Sequence, residues 1–177
     1  LYLVASCCHR LVFEKLLAAG CTTLVWHTNG TPEEDSVVKA FDSGAFFVVG
    51  GSTVGLEALA LGSVLGFRSF DVYGMDCAFA DDGEQHAGAH PNPEAIVVRA
   101  RIAEIPGREW RTSPQMISQV REFAMLRNST PSSRYVIRGD GLLAATLSAR
   151  EIAAARGVSA RKYRVKPRSE PRLEVVQ

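Results

Sequence analysis

Six residues, Gly50-Gly51-Ser52-Thr53-Val54-Gly55, hold the densest chemical potential in this chain. Glycines after an apolar run let a backbone turn sharply and approach a ligand with no Cβ in the way. Ser52 and Thr53 are suited to cap a following helix, whose first amides would face an anion such as phosphate or diphosphate. No Lys precedes the hydroxyl pair, so this is not a Walker loop, and the glycine spacing is not a strict dinucleotide fingerprint. The plainer alternative is a tight strand-to-helix turn whose glycines serve packing alone.

Carboxylates and imidazoles follow. Asp76 stands just past an apolar run, Phe67 to Tyr73, where an open α/β sheet would present its ligands. There it can hold Mg²⁺ against a diphosphate, bond a ribose hydroxyl or act as a base, or it can be an ordinary turn carboxylate. Asp71 is weaker, lying inside the run itself. His86 and His90 are four apart, a metal-binding spacing on a helix, but Gly83, Gly88 and Pro91 argue against a helix and so against zinc. A histidine titrating near neutrality above a phosphate site suits general acid or base work, and His86 is the first candidate, with His90 second. Asp140, between Gly139 and Gly141, is a further candidate at a strand end or else part of a plain turn. His9 and His27 are read as structural.

These residues need elements to position them. Leu1 to Ala5 is an apolar run suited to a strand buried on both faces, and Leu11, Val12, Leu16 and Ala19 then recur at helical spacing before Gly20. Thr22 to His27 reads as a second strand and Thr28 to Ser43 as a polar stretch with a turn at Asn29-Gly30 and a short acidic segment opened by Pro32. Ala45 to Val49 is a third strand, the helix after the Gly50 loop runs to Leu65, and Phe67 to Tyr73 is a fourth strand. Met75 to Pro93 is a long loop. Ile96 to Arg111 reads as a β-hairpin turning at Pro106-Gly107, followed by a helix from Pro114 to about Arg127. Tyr135 to Arg138 is a strand and Leu142 to Ala155 an Ala-rich helix. The alternation predicts an α/β fold: an open, mainly parallel sheet with an inserted hairpin, with the Gly50 loop and Asp76 at one edge. One domain spans residues 1–155, and 156–177 form a flexible basic tail.

Composition narrows the classes. The chain has 177 residues, 46% hydrophobic and 22% charged, with a formal net charge of +1. It is too apolar for a disordered protein and too balanced for a general nucleic-acid binder, leaving only the basic tail as a nucleic-acid contact. No apolar run approaches the ~20 residues that span a bilayer, so no membrane partner is expected. Cys7, Cys8, Cys21 and Cys77 form no zinc or disulfide pattern and read as reduced thiols of a cytoplasmic protein. The sequence lacks an initiator Met and is read as a fragment.

The Gly50 to Gly55 run with its helix ending Leu65-Gly66-Phe67, Tyr73-Gly74-Met75-Asp76, Gln85-His86-Ala87 and Arg138-Gly139-Asp140-Gly141-Leu142-Leu143 together resemble the 6-hydroxymethylpterin diphosphokinase MptE-like domain family. Leu3 to His9 and Val25-Trp26-His27 are similar to its phage and bacterial branch, and the resemblance covers about Leu1 to Leu147. Family members begin with an earlier strand and a Gly-Pro-Ser type loop that this sequence does not contain. The resemblance implies a Rossmann-like sheet and transfer chemistry on a diphosphate-bearing nucleotide donor. One branch transfers diphosphate from ATP to a hydroxymethylpterin with Mg²⁺; another, motility-associated, transfers a nonulosonic acid from its activated nucleotide, and the expected acceptor is a small molecule or a glycan. A non-catalytic nucleotide-binding module is the third expectation. Asp76 and His86 are then the expected catalytic pair, Asp76 the expected metal ligand, and Gly50, Gly51, Ser52, Thr53 and Gly55 the expected phosphate site.

Overall fold

A computed structural model describes residues 1–80, 96–160 and 173–176. The chain divides into two compact units, Leu1–Arg68 and Ser69–Gln177.

In the first unit the strands β1 (Tyr2–Ala5), β2 (Thr23–Thr28) and β3 (Phe47–Val48) form a parallel sheet in the order β1-β2-β3. Helix α1 (Arg10–Ala18) starts at His9, whose Nδ1 accepts the Leu11 N–H at 3.3 Å, so His9 is a helix cap. Gly20, at φ +66°, ends the helix as a residue without Cβ can. Helix α2 (Pro32–Phe41) occupies the stretch read as a polar segment. Its cause is local: Thr31 and Glu34 form a reciprocal capping box, Pro32 sits at the first helical position, and Glu33, Glu34 and Asp35 favour the helix's positive end. Helix α3 (Val54–Val64) is capped by Thr53 and stops at Gly66, φ +98°. The two-faced burial expected of β1 is not found, since Val4 is buried while Tyr2 and Leu3 are exposed.

The second unit carries two more sheets. Strands β4 (Ser69–Tyr73) and β7 (Arg134–Arg138) pair in parallel, Ser69 opposite Arg134 through Tyr73 opposite Arg138. Strands β5 (Val98–Ile102) and β6 (Glu109–Thr112) form the expected antiparallel hairpin. Its burial alternates: Ala100, Ile102, Trp110 and Thr112 face inward, while Arg99, Arg101 and Arg111 face out. Arg101 hydrogen-bonds Glu109 across the strands, which holds the Glu109 carboxyl below its usual range. Helix α4 (Pro114–Ser129) begins where Ser113 accepts the Met116 N–H, as read from the sequence. Its buried face of Met116, Ile117, Val120, Phe123 and Leu126 joins Leu142, Leu143 and Ala149 of α5 (Leu142–Ala160) in the core. Tyr135 stacks on Phe70 at 5.0 Å and meets the edge of Phe123 at 5.4 Å, tying the β4–β7 pair to α4.

The chain's end differs from the flexible tail expected. Helix α5 continues through Gly157 to Ala160, and β8 (Leu173–Val176) pairs antiparallel with β5, in the order β6-β5-β8. The β-prone Leu173, Val175 and Val176 supply the strand, and the open edge of β5 supplies the partner. The molecule is therefore mixed α/β, with five helices and three small sheets among the described residues, two of them parallel. No helix among those residues is long and apolar enough to cross a membrane.

Candidate functional site

The second unit brings two sequence candidates into contact. Asp76 follows β4 and Gly139-Asp140-Gly141 follows β7, so both lie at the carboxyl ends of the parallel pair, where βα loops gather ligands in open α/β sheets. A β-carbon on Gly139 would come 2.8 Å from Asp76 Oδ1, and one on Gly141 would strike the Asp76 backbone. The glycines of this loop are there because Asp76 lies against them.

The loop carrying Asp76 is pinned on three sides. The Asp76 carbonyl accepts the Leu143 N–H at 3.1 Å, from the first turn of α5. The Cys77 carbonyl accepts the buried Thr112 hydroxyl at 2.8 Å, and Phe79 N–H donates to the Arg111 carbonyl at 2.8 Å. Cys77 itself has φ +52°, a left-handed conformation that L-residues seldom adopt and that tends to mark functional turns. Burial, with the charges of Asp76 and Glu122 adding to it, pushes the Cys77 thiol up to about 12, so it is no nucleophile. The result is a rigidly held backbone with the Asp76 residue exposed at its tip.

One cation escaped the sequence reading. Arg108, in the hairpin turn, donates to the Asp140 carbonyl at 2.8 Å and to its carboxylate at 3.2 Å, and its guanidinium lies 4.8 Å from the Trp110 ring. Trp110 Nε1 also donates to the Asp140 carbonyl, at 3.3 Å. The signal was faint: Gly107-Arg108 at a hairpin turn gives no hint that the turn reaches a loop 32 residues on. Asp140 thus sits in an exposed ion pair, its side chain 92% accessible. Asp71 pairs with Arg138 on the solvent face of the sheet, 2.8 and 3.0 Å from its guanidinium nitrogens, and raises the arginine's pKa.

In the first unit the Gly50 loop does form a strand-to-helix turn. Gly51 has φ +133°, and Thr53 Oγ1 accepts the Leu56 N–H at 3.3 Å. Gly50 is pressed on α3: a β-carbon there would come 2.9 Å from Glu57 N and closer still to Glu57 Cα. The Glu57 carboxylate accepts a hydrogen bond from Thr28 within the first turn of the helix, where it already supplies negative charge to the positive end. Packing and that carboxylate account for Gly50, and Gly55 lies within the helix. His27 Nδ1 is 2.9 Å from the Ser6 hydroxyl. His86 and His90 lie outside the described residues.

Among the described residues no three His, Cys, Asp or Glu side chains come together to hold a metal. Mg²⁺ on a nucleotide asks for less, one or two carboxylates with phosphate oxygens and waters completing its shell. Asp76, resting against the bare Gly139 on a fixed backbone, fits that requirement.

No family profile, curated protein or solved structure matches this chain.

Proposed function

We propose that this chain is an MptE-like transferase domain with a Rossmann-like organisation, binding a diphosphate-bearing nucleotide at the Asp76 and Gly139-Asp140-Gly141 edge. The observation that carries it is the contact of Asp76 with Gly139 and Gly141 at the carboxyl ends of β4 and β7, beside the start of α5. A parallel strand pair, a glycine loop entering a helix and a positioned carboxylate are what a nucleotide phosphate site requires. Arg108 adds a cation next to that loop. The Gly50 loop is a structural turn in this proposal, because Glu57 fills its helix end.

The reaction is diphosphate transfer from ATP to a hydroxymethylpterin-like acceptor. His86 takes the proton of the acceptor hydroxyl, the freed oxygen bonds to the β-phosphorus, and the bond from that phosphorus to the oxygen bridging the α-phosphate breaks, releasing AMP. Bound Mg²⁺ would neutralise charge on the phosphates. Asp76 would hold it, and Arg108 would face the polyphosphate once Asp140 yields its pairing. The free thiols suit a cytoplasmic setting.

Calorimetry of the full chain with ATP, GTP, CTP and CMP, each with and without Mg²⁺, tests the proposal. Tight binding that needs both ATP and Mg²⁺, and weakens in Asp76→Asn, supports it. Metal-independent CMP binding would replace it with glycosyl transfer from an activated nonulosonic acid. Absence of any nucleotide binding would overturn it.

A further inference from the structure

A cavity of about 510 Å³ lies along β7, from Ser133 at one end of the strand to Gly139 at the other, walled by α5 and the last turn of α4. The six residue steps from Ser133 to Gly139 span about 20 Å of extended chain, the length of a short peptide strand. Two features converge in it. Among the described residues β7 pairs with β4 alone, so its outer backbone edge is unmatched. Arg127, half-buried, and Arg134, exposed, both line the cavity, and among the described residues neither is ion-paired. Glu151 also lines it, leaving one positive charge unanswered.

An unpaired strand edge asks for another strand, a strand-long groove accommodates one, and two arginines against one glutamate ask for a carboxylate. We propose that this groove takes an extended peptide segment by strand addition along β7, with an acidic group held by Arg127 and Arg134. A half-buried guanidinium without a counter-charge is costly alone, and a ligand carboxylate answers it. The ligand meets β7 through its backbone and the arginines through its charge. The groove touches the proposed nucleotide edge only at Gly139, and its lining includes neither Asp76 nor Arg108.

Capped hexapeptides of alternating valine and threonine, bearing glutamate at one end or the other, are the probes, with lysine counterparts as controls. Fluorescence anisotropy on the full chain should show one glutamate peptide binding at least about tenfold tighter than either lysine peptide. Amide exchange within Arg134–Arg138 should slow when it binds. Arg134→Glu, at an exposed position that the fold tolerates, should reverse the preference toward lysine, and circular dichroism confirms that the variant is folded. Equal binding of glutamate and lysine peptides, no binding of either, or binding with unchanged β7 exchange would each overturn strand addition at this groove.

Discussion

The bare α-carbon of Gly141 lies against Asp76, so that a β-carbon there would meet the Asp76 α-carbon and β-carbon at 2.6 Å. Gly139, two residues earlier, crowds only the far end of the same side chain, at Oδ1, but holds φ +123°. The two glycines therefore answer differently to substitution. Gly141→Ala must move backbone and should cost about 1–3 kcal/mol in urea unfolding, a typical overpacking penalty. Adding Asp76→Ala should rescue little of it, because Asp76 keeps its backbone and β-carbon. For Gly139→Ala the Oδ1 contact disappears with Asp76→Ala, leaving only backbone strain. Double-mutant cycles should thus show coupling for Gly139 and much less for Gly141.

The buried Thr112 hydroxyl reaches the Cys77 carbonyl at 2.8 Å and helps to hold that residue at φ +52°. Thr112→Val keeps the shape and leaves a buried acceptor unpaired. It should lower stability by about 1–3 kcal/mol. A smaller change, near that of a surface substitution, would show that the turn is held by the Leu143 and Arg111 backbone bonds alone.

Much of this architecture was legible beforehand, for physical reasons that also explain the gaps. The hairpin alternates between outward charged residues and inward, mostly apolar ones, and α4 begins with Ser113-Pro114, so both could be placed from pattern and capping. Helix α2 was missed because it buries no side chain and its evidence is the capping box Thr31 to Glu34, a local signal weaker than a buried stripe. Strand β8 is four residues, and its partner β5 lies about 70 residues back, a pairing that no periodicity reports. Asp76 and Asp140 could be assigned to strand ends, yet their juxtaposition needs the parallel register of β4 with β7. Arg108 joins them only through the fold of the hairpin.

Gly50 and Gly51 serve as a control on the alternative phosphate site. Sequence alone suggests that Gly51→Val would block a ligand at little cost to the fold. At φ +133° a β-branched residue is strained, so the variant should lose stability whether or not a ligand binds there. Gly50→Ala forces a β-carbon onto the Glu57 backbone and should likewise lower the thermal midpoint. Nucleotide affinity measured well below those midpoints should stay near that of the parent, whereas a loss of affinity with stability intact would return the phosphate site to this loop.

The Cys77 thiol sets an alkaline signature. Its folded pKa, about 12, exceeds the ordinary value of 9.0, so the folded state keeps a proton that the unfolded chain gives up. The contribution of this group is therefore fully present below about pH 9 and is lost as pH rises from there toward 12. Cys77→Ala should flatten the fall in stability between pH 9 and pH 11 relative to the parent, with other titrating groups cancelling in the difference. Iodoacetamide at pH 8 should modify the exposed Cys7 and Cys8 and spare Cys77 until the protein unfolds.

Under the proposed transfer, substitutions of Asp76 and His86 should separate binding from chemistry. Asp76 is fixed by the Leu143 bond and exposed at the loop tip, so its carboxylate is presented without being needed by the core. Asp76→Asn keeps the volume and removes the charge, and should abolish the Mg²⁺ dependence of ATP binding while leaving the thermal midpoint close to the parent. In the proposed transfer His86→Ala removes the base, whose contribution to rate is typically about 10²–10⁴. Turnover of ATP to AMP with a hydroxymethylpterin acceptor should fall in that range while ATP affinity holds. A His86→Ala enzyme within about threefold of the parent would remove the histidine from the mechanism, and an Asp76→Asn protein with unaltered Mg²⁺ dependence would remove the carboxylate.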